Sequence, residues 1–397
     1  MRTACRTALL ATSLLAGTAI AAPAQAAPEV VATVKPVHSL VSAVMDGVGE
    51  PKLLLEAGQS PHTYSLTPSD AGALEKADLV VWVGPALEAF LERPVRNIAR
   101  DDAAFQLMRL DGLTVLRTRE GGAWAAHAHA HGDGGHDHGD SHEAAAKSEH
   151  DHDHGHDHAD AHAHEGEHDH DHADAHAHGD DHDHDHGDAH AHGDGHDHEP
   201  GEEHAHEGEH GHGDAHTIQG IPEDEVDPHI WLDPENARVI VDALADRLAA
   251  LDPDNAETYR QNAEAARQRI AEVDAEVADR IAPVTDVPYV VFHDAYHYLE
   301  AHYGLNAVGS ITLSPDRKPG AKRLAEIRGK ITELDARCVF REPQFAPDLV
   351  ETVVENTEAE IGTLDPLGVD HGAGPDAYPQ TLRDLATDLS DCLSPKS

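Results

Sequence analysis

Thirty of the 37 histidines crowd into one low-complexity tract, and seven stand outside it: His38, His62, His229, His293, His297, His302 and His371. Three of the seven occupy comparable places. His62, in AGQSPHTYSL, follows a strand-like run. His229, in DPHIWLDP, precedes a helical pattern. His293, in VVFHDAY, ends an apolar run, with Asp294 placed to cap the helix after it. A lone loop histidine is ordinarily a solvated surface residue; three at matching strand ends read as a ligand set. Neutral imidazoles suit zinc at about 2.0–2.1 Å per bond, with a fourth position left to water or a carboxylate. They suit manganese poorly. Asp365, in TLDPLG at the end of the last strand-like run, is the candidate fourth ligand. His297, one helical turn beyond His293, is the local rival and reads as an exposed helix residue. His38, in KPVHSL, is a weaker candidate for a place behind the ligands.

Positioning those residues requires a scaffold that presents strand ends. Residues 29–34, 51–56 and 77–84 are short apolar runs, separated by helical patterns at 36–48 and 67–77. The same alternation returns later: strands at 287–293, 305–311, 336–342 and 361–368, with helices at 294–304, 318–334, 347–359 and 379–393. This β-α rhythm predicts α/β architecture, each lobe a mostly parallel sheet flanked by helices. Between the two halves, 234–250 reads as an amphipathic helix. Residues 254–281 read as a helix of about 28 residues, roughly 42 Å long, whose polarity nearly all round fits a bridge between lobes. The expected organisation is a segment 1–26 removed on export, a first metal-binding lobe over 27–253, a linking helix over 254–282 and a second lobe over 283–397. Ligands in such folds sit at the carboxyl ends of strands, here in the cleft between lobes.

The formal net charge of the 397 residues is −47, and residues 127–216 alone carry −26. Nucleic acid and anionic lipid both need Lys and Arg, so cations are the natural partners. The tract over 124–216 alternates His with Asp, Gly, Ala and Glu without an apolar period, and is expected to be disordered without metal. Its HxH and DHDH pairs can hold several zinc ions weakly, losing them as pH falls through about 6.5. HEGEH at 164–168 and 206–210 matches a zinc-protease pattern in form only, because nothing there makes the helix that motif needs. No G-x-S-x-G, Walker A or G-x-G-x-x-G occurs, and no catalytic role is expected.

Arg2 and Arg6, the short apolar run from Leu9 to Ala22 and the Ala24-Gln25-Ala26 site read as a cleavable export signal. Cys5 leaves with it. Cys338 and Cys392 remain, and an even pair in an oxidising compartment reads as one disulfide. A cysteine metal site is the alternative, but neither a CxxC nor a neighbouring His accompanies either residue.

GQSPHTYSLTPSD, VWVGPALEAFL, DPHIWLDPENA, FHDAYHYLEAHYGL, REPQF and TLDPLG together resemble the cluster A-I metal-binding proteins of bacterial ABC importers, over 29–393. The resemblance implies a rigid backbone helix, a zinc site between lobes formed by His62, His229 and His293, a Cys338–Cys392 disulfide, and delivery of zinc to a membrane permease. It implies a periplasmic monomer whose partners are zinc, that permease and other periplasmic zinc-handling proteins, with no nucleic acid. Some zinc relatives have Glu before the first ligand His, where this chain has Pro61. Asp365 or water then completes the set. Manganese or iron binding within the same family, and a zinc buffer or chaperone, are the competing readings. A zinc hydrolase would need an open metal position and a general base; the carboxylates near DPHIWLDP could supply the base, but no positioned nucleophile supports that reading.

Overall fold

The apolar runs become two four-stranded parallel sheets. The computed structural model describes residues 26–97, 102–119, 124, 217–312 and 319–395. The export signal expected at 1–26 and the tract at 124–216 lie outside these residues, Ala26 and Trp124 excepted. The first sheet holds β1 (Val30–Ala32), β2 (Lys52–Leu53), β3 (Leu79–Trp82) and β4 (Ala104–Gln106) in the order β2-β1-β3-β4. Its central strands are buried throughout, which is why they read as unbroken Val-rich runs without alternation. α1 (Lys35–Val44), α2 (Pro68–Lys76) and α3 (Glu92–Asn97) accompany it. α2 starts where its sequence says it should. Thr67 and Asp70 form a reciprocal capping box with Pro68 in the first turn. β4 was not foreseen, because AFQ is three residues long and incompletely buried. A two-residue-per-strand hairpin, β5 (Thr217–Ile218) and β6 (Ile221–Pro222), was also missed.

The second sheet holds β7 (Tyr289–His293), β8 (Ala307–Thr312), β9 (Cys338–Arg341) and β10 (Glu360–Thr363) in the order β10-β9-β7-β8. Its helices are α6 (His297–Tyr303), α7 (Ala321–Glu333), α8 (Asp348–Val354) and α9 (Ala377–Leu393). Cys338 on β9 is bonded to Cys392 on α9, with the Cα atoms 6.3 Å apart.

Between the sheets, α4 (Pro234–Leu251) is N-capped by Asp233, and α5 (Ala256–Ile281) runs for 26 residues. α5 is not polar all round. Tyr259, Ala263, Ile270, Val273, Val277 and Ile281 form a narrow buried stripe, and the helix packs on α4, α1 and α9. A stripe this thin is diluted by the charged residues between its members, so composition hid it. α5 is therefore a spine seated in the core of both lobes.

His302 on α6 ties that spine to the first lobe. Its Nδ1 lies 3.2 Å from Asp233 and its Nε2 2.9 Å from Asp274 on α5. The hydrogen bond to Asp233, with that to Asp274, outweighs burial and raises the His302 pKa above its ordinary value. A folded-state pKa above the unfolded one gives stability that is complete below about pH 6.5 and lost as pH rises through the raised value. His302→Gln is expected to lower the urea midpoint clearly at pH 5.5 and much less at pH 8.5. Equal losses at both pH values would show that the ion pairs contribute nothing.

Candidate metal centre

Three histidines far apart in sequence meet where the two lobes face each other. His62 sits in a tight turn after β2, closed by the Thr63 amide donating to the Ser60 carbonyl at 3.2 Å. His229 follows Asp227-Pro228 and leads into a 3-10 turn, Ile230–Leu232. His293 is the last residue of β7. One ring nitrogen from each lies within 4.8 Å of the others. Ring centroids are 5.5 Å apart for His62–His229, 5.6 Å for His62–His293 and 5.3 Å for His229–His293. His229 and His293 are each 5% exposed, and His62 is only partly buried.

Two carboxylates orient this group from behind. Asp227 accepts from His229 Nδ1 at 2.8 Å and from the His229 amide at 3.0 Å. Glu342 accepts from His293 Nδ1 at 2.6 Å and from the His293 amide at 3.3 Å. An ionised carboxylate accepts, so each Nδ1 carries a proton and, in the neutral ring, Nε2 is the atom left to bind a metal. Those two Nε2 atoms face each other at 3.4 Å. Two ligands about 2.05 Å from one ion at the tetrahedral angle stand about 3.3 Å apart. The observed separation therefore suits one tetrahedral ion held by both rings.

Burial pushes Asp227 up to about 7, with the Asp294 charge adding to it. Burial likewise raises Glu342. For His293, burial opposes the charged ring, but the Glu342 charge and hydrogen bond outweigh it and the net shift is upward. Much of the remaining wall is apolar: Pro61, Trp231, Phe345, Pro366 and Leu367 line the same pocket, with Ser60 and Gln344 as its polar members.

Asp365, the candidate fourth ligand, is not one of the three residues whose ligand atoms converge, and three hydrogen bonds hold its carboxylate. One oxygen accepts from Gln344 Nε2 at 2.8 Å and the Leu367 amide at 3.0 Å, and the other accepts from the Val369 amide. Its lone pairs close the turn of its own loop. His297 is not the exposed helix residue expected. It is partly buried, with Nδ1 3.8 Å from Asp227 and its pKa lowered by burial and by the Arg119 charge. His38 lies on α1 away from the site, with Nε2 2.9 Å from the Pro51 carbonyl and Nδ1 3.3 Å from the Ser42 hydroxyl.

Asp227 and Glu342 were missed as supporting residues. Both had signals: Asp227 lies two residues before His229, and the parallel β7–β9 register, Tyr289 beside Cys338, brings Glu342 level with His293. Removing the carboxylate behind a ligand histidine typically weakens metal binding 10–100-fold. Glu342→Gln is expected to weaken zinc binding by roughly that factor, measured by competition with a chelator. An unchanged constant would mean that Glu342 does not orient the ring.

The residues flanking the His-rich tract pair with each other beside this centre. Arg117 bridges Val226, the Thr118 amide donates to the Glu225 carbonyl at 2.9 Å, and the Asp227 amide donates to the Leu116 carbonyl at 2.9 Å. Arg119 then pairs with Asp294, next to His293, and with Glu300.

A family model described as "ZnuA: Zinc-uptake complex component A periplasmic" matches residues 30–392. The chain belongs to the ZnuA family. The high-affinity zinc uptake system protein ZnuA of Brucella suis is 42% identical over 365 residues, spanning 92% of this chain and 91% of its own length. The proteins of the same name from Paracoccus denitrificans and Yersinia pestis are 36% and 32% identical, again over 92% of this chain and 91% of theirs. Among solved structures, one titled "Crystal structure of ZnuA" aligns with a TM-score of 0.59 at 17% identity, covering 93% of this chain and all of that one. The periplasmic zinc binding protein TroA of Treponema pallidum aligns with a TM-score of 0.61 at 17% identity, over 93% of this chain and 100% of its own. These likenesses establish the ZnuA-type fold of two sheets about a long helix.

Proposed function

We propose that this ZnuA-family chain captures zinc between His62, His229 and His293 and hands it to the membrane permease of an ABC importer. Membership of a family of periplasmic zinc-uptake components supplies the general role, and the residues and the handover are our reading. The observation that carries it is the meeting of three imidazole nitrogens within 4.8 Å, two of the rings braced by buried carboxylates. Asp365 or water completes the set, and Asp365 is already oriented by Gln344 and the amides of its own loop. On this reading the mature protein works in the periplasm; the family's description as periplasmic and the export signal expected at the N-terminus support it. No catalytic role is part of this reading.

Manganese and ferrous iron are the rival ions. An all-imidazole set favours zinc over manganese, because oxygen ligands are what manganese prefers. In a competition titration of the intact chain, zinc is expected to bind at least about 100-fold more tightly than manganese. Comparable affinities would sink the zinc reading and favour a general divalent-metal carrier.

A further inference from the structure

Lys35 opens α1, where a cation faces the positive end of the helix dipole with no acidic residue in the first turn to offset it. Local helix preference therefore does not put it there. Its side chain is drawn across to the second lobe instead. Lys35 is 6% exposed, and its Nζ donates to the carbonyls of Gly368 at 2.9 Å, Val369 at 2.8 Å and His371 at 2.8 Å. All three ammonium protons are used. Three carbonyls converging on one point are held together by a cation; without it their partial charges repel. Gly368 makes the turn possible. Its φ is +64°, and a Cβ there would lie 2.1 Å from the Thr381 hydroxyl.

This cradle adjoins the metal centre. Pro366 and Leu367, immediately before it, line the pocket that holds the three imidazoles. The Pro366 carbonyl accepts from Trp231 Nε1 at 2.9 Å. The segment thus belongs to the second lobe by sequence but is fastened by two first-lobe side chains, Lys35 and Trp231. Lys35 also borders a small cavity shared by Leu367, Val369 and residues 55–59, the stretch that leads to His62.

We propose that Lys35 is a positioning residue for the metal centre, fastening the 366–371 segment as a wall of the pocket and thereby setting how fast a bound ion leaves. The proposal rests on the metal-centre reading above. Swinging the wall outward requires Lys35 to surrender three charge-assisted hydrogen bonds at once. Entry is less affected, because His62 is already partly exposed and can make the first contact with an arriving ion.

The test is stopped-flow zinc release into excess chelator, with separate association traces, on the intact mature chain and on Lys35→Met, Lys35→Gln and Lys35→Arg. Lys35→Met is expected to release zinc at least about tenfold faster with association within about twofold, since changes of this kind fall mainly on dissociation. Lys35→Arg, which keeps charge and donors, is expected to lie nearer the intact chain than to Lys35→Met. A merely structural role would lower the apo melting temperature but leave release unchanged. Lys35→Gln retains two N–H donors and carries the comparison should Lys35→Met fail to fold. Amide exchange over 366–371 in the zinc-loaded intact chain adds a readout that needs no variant: the segment is expected to open no faster than zinc leaves. Release unchanged in the variants, an effect confined to association, or opening far faster than release would each overturn the role of Lys35. Failure of the intact chain to bind zinc would overturn the metal-centre reading itself.

Discussion

Changing His62, His229 and His293 together to alanine is expected to abolish the tightest zinc site, with a loss of at least about 10³ in affinity, because only water and two buried carboxylates would remain where three neutral ligands stood. Deleting 124–216 is expected to leave that site in place. The two changes separate a fixed site from a flexible one. The three imidazoles are held by a turn, a 3-10 start and a strand end, and two are locked by Asp227 and Glu342, so binding an ion there orders little. A His/Asp tract without an apolar core must lose chain entropy for each ion it wraps. Competition with a chelator on the intact chain, the deletion and the triple variant gives the ranking directly. If the tightest site disappears with the tract and persists in the triple variant, the chain is a zinc buffer and the lobes do not hold the transported ion.

The scaffold was legible because parallel strands buried on both faces leave short apolar runs at regular intervals between helical patterns. LVVW at 79–82 and YVVFH at 289–293 are examples. Caps were less legible: α6 starts after Tyr296 with no side-chain cap, and Asp294, expected to cap it, pairs with Arg119 instead. His293 could be picked out because it ends such a run, and His62 and His229 because they sit on loops next to predicted elements. What stayed hidden depends on through-space partners. Glu342 acquires its place from the register of β9 against β7, which no single segment states. The hydrogen bonds that fix Asp365, from amides two and four residues on and from Gln344, are equally silent in the sequence. Lys35 falls just before the helical pattern at 36–48, and its three acceptors lie more than 330 residues away.

Arg119→Met is expected to destabilise the fold by about 3–5 kcal/mol at pH 8, the range for breaking a buried ion pair from one side. Arg119 is 18% exposed at its side chain and grips both oxygens of Asp294, at 3.1 and 3.0 Å from Nε, and Glu300 at 2.6 Å from Nη1. Burial pushes Glu300 up to about 7, with the Arg119 charge pulling the other way. Asp227 is relieved by the same charge. Without Arg119, Glu300 rises further above its unfolded value. A carboxyl with a raised folded pKa is best tolerated while protonated, so the deficit is expected to be small near pH 4.5, to grow as pH rises, and to be largest above about 7. Urea unfolding of both proteins across that range measures it. The Trp124 ring, 3.4 Å from the guanidinium, offers a comparison. Deleting 124–216 removes the ring but leaves every carboxylate partner, and is expected to cost no more than about 2 kcal/mol. Were that deletion as damaging as Arg119→Met, Arg119 would owe its place to the ring. A deficit independent of pH would mean that the buried carboxylates beside His293 and His229 do not depend on it.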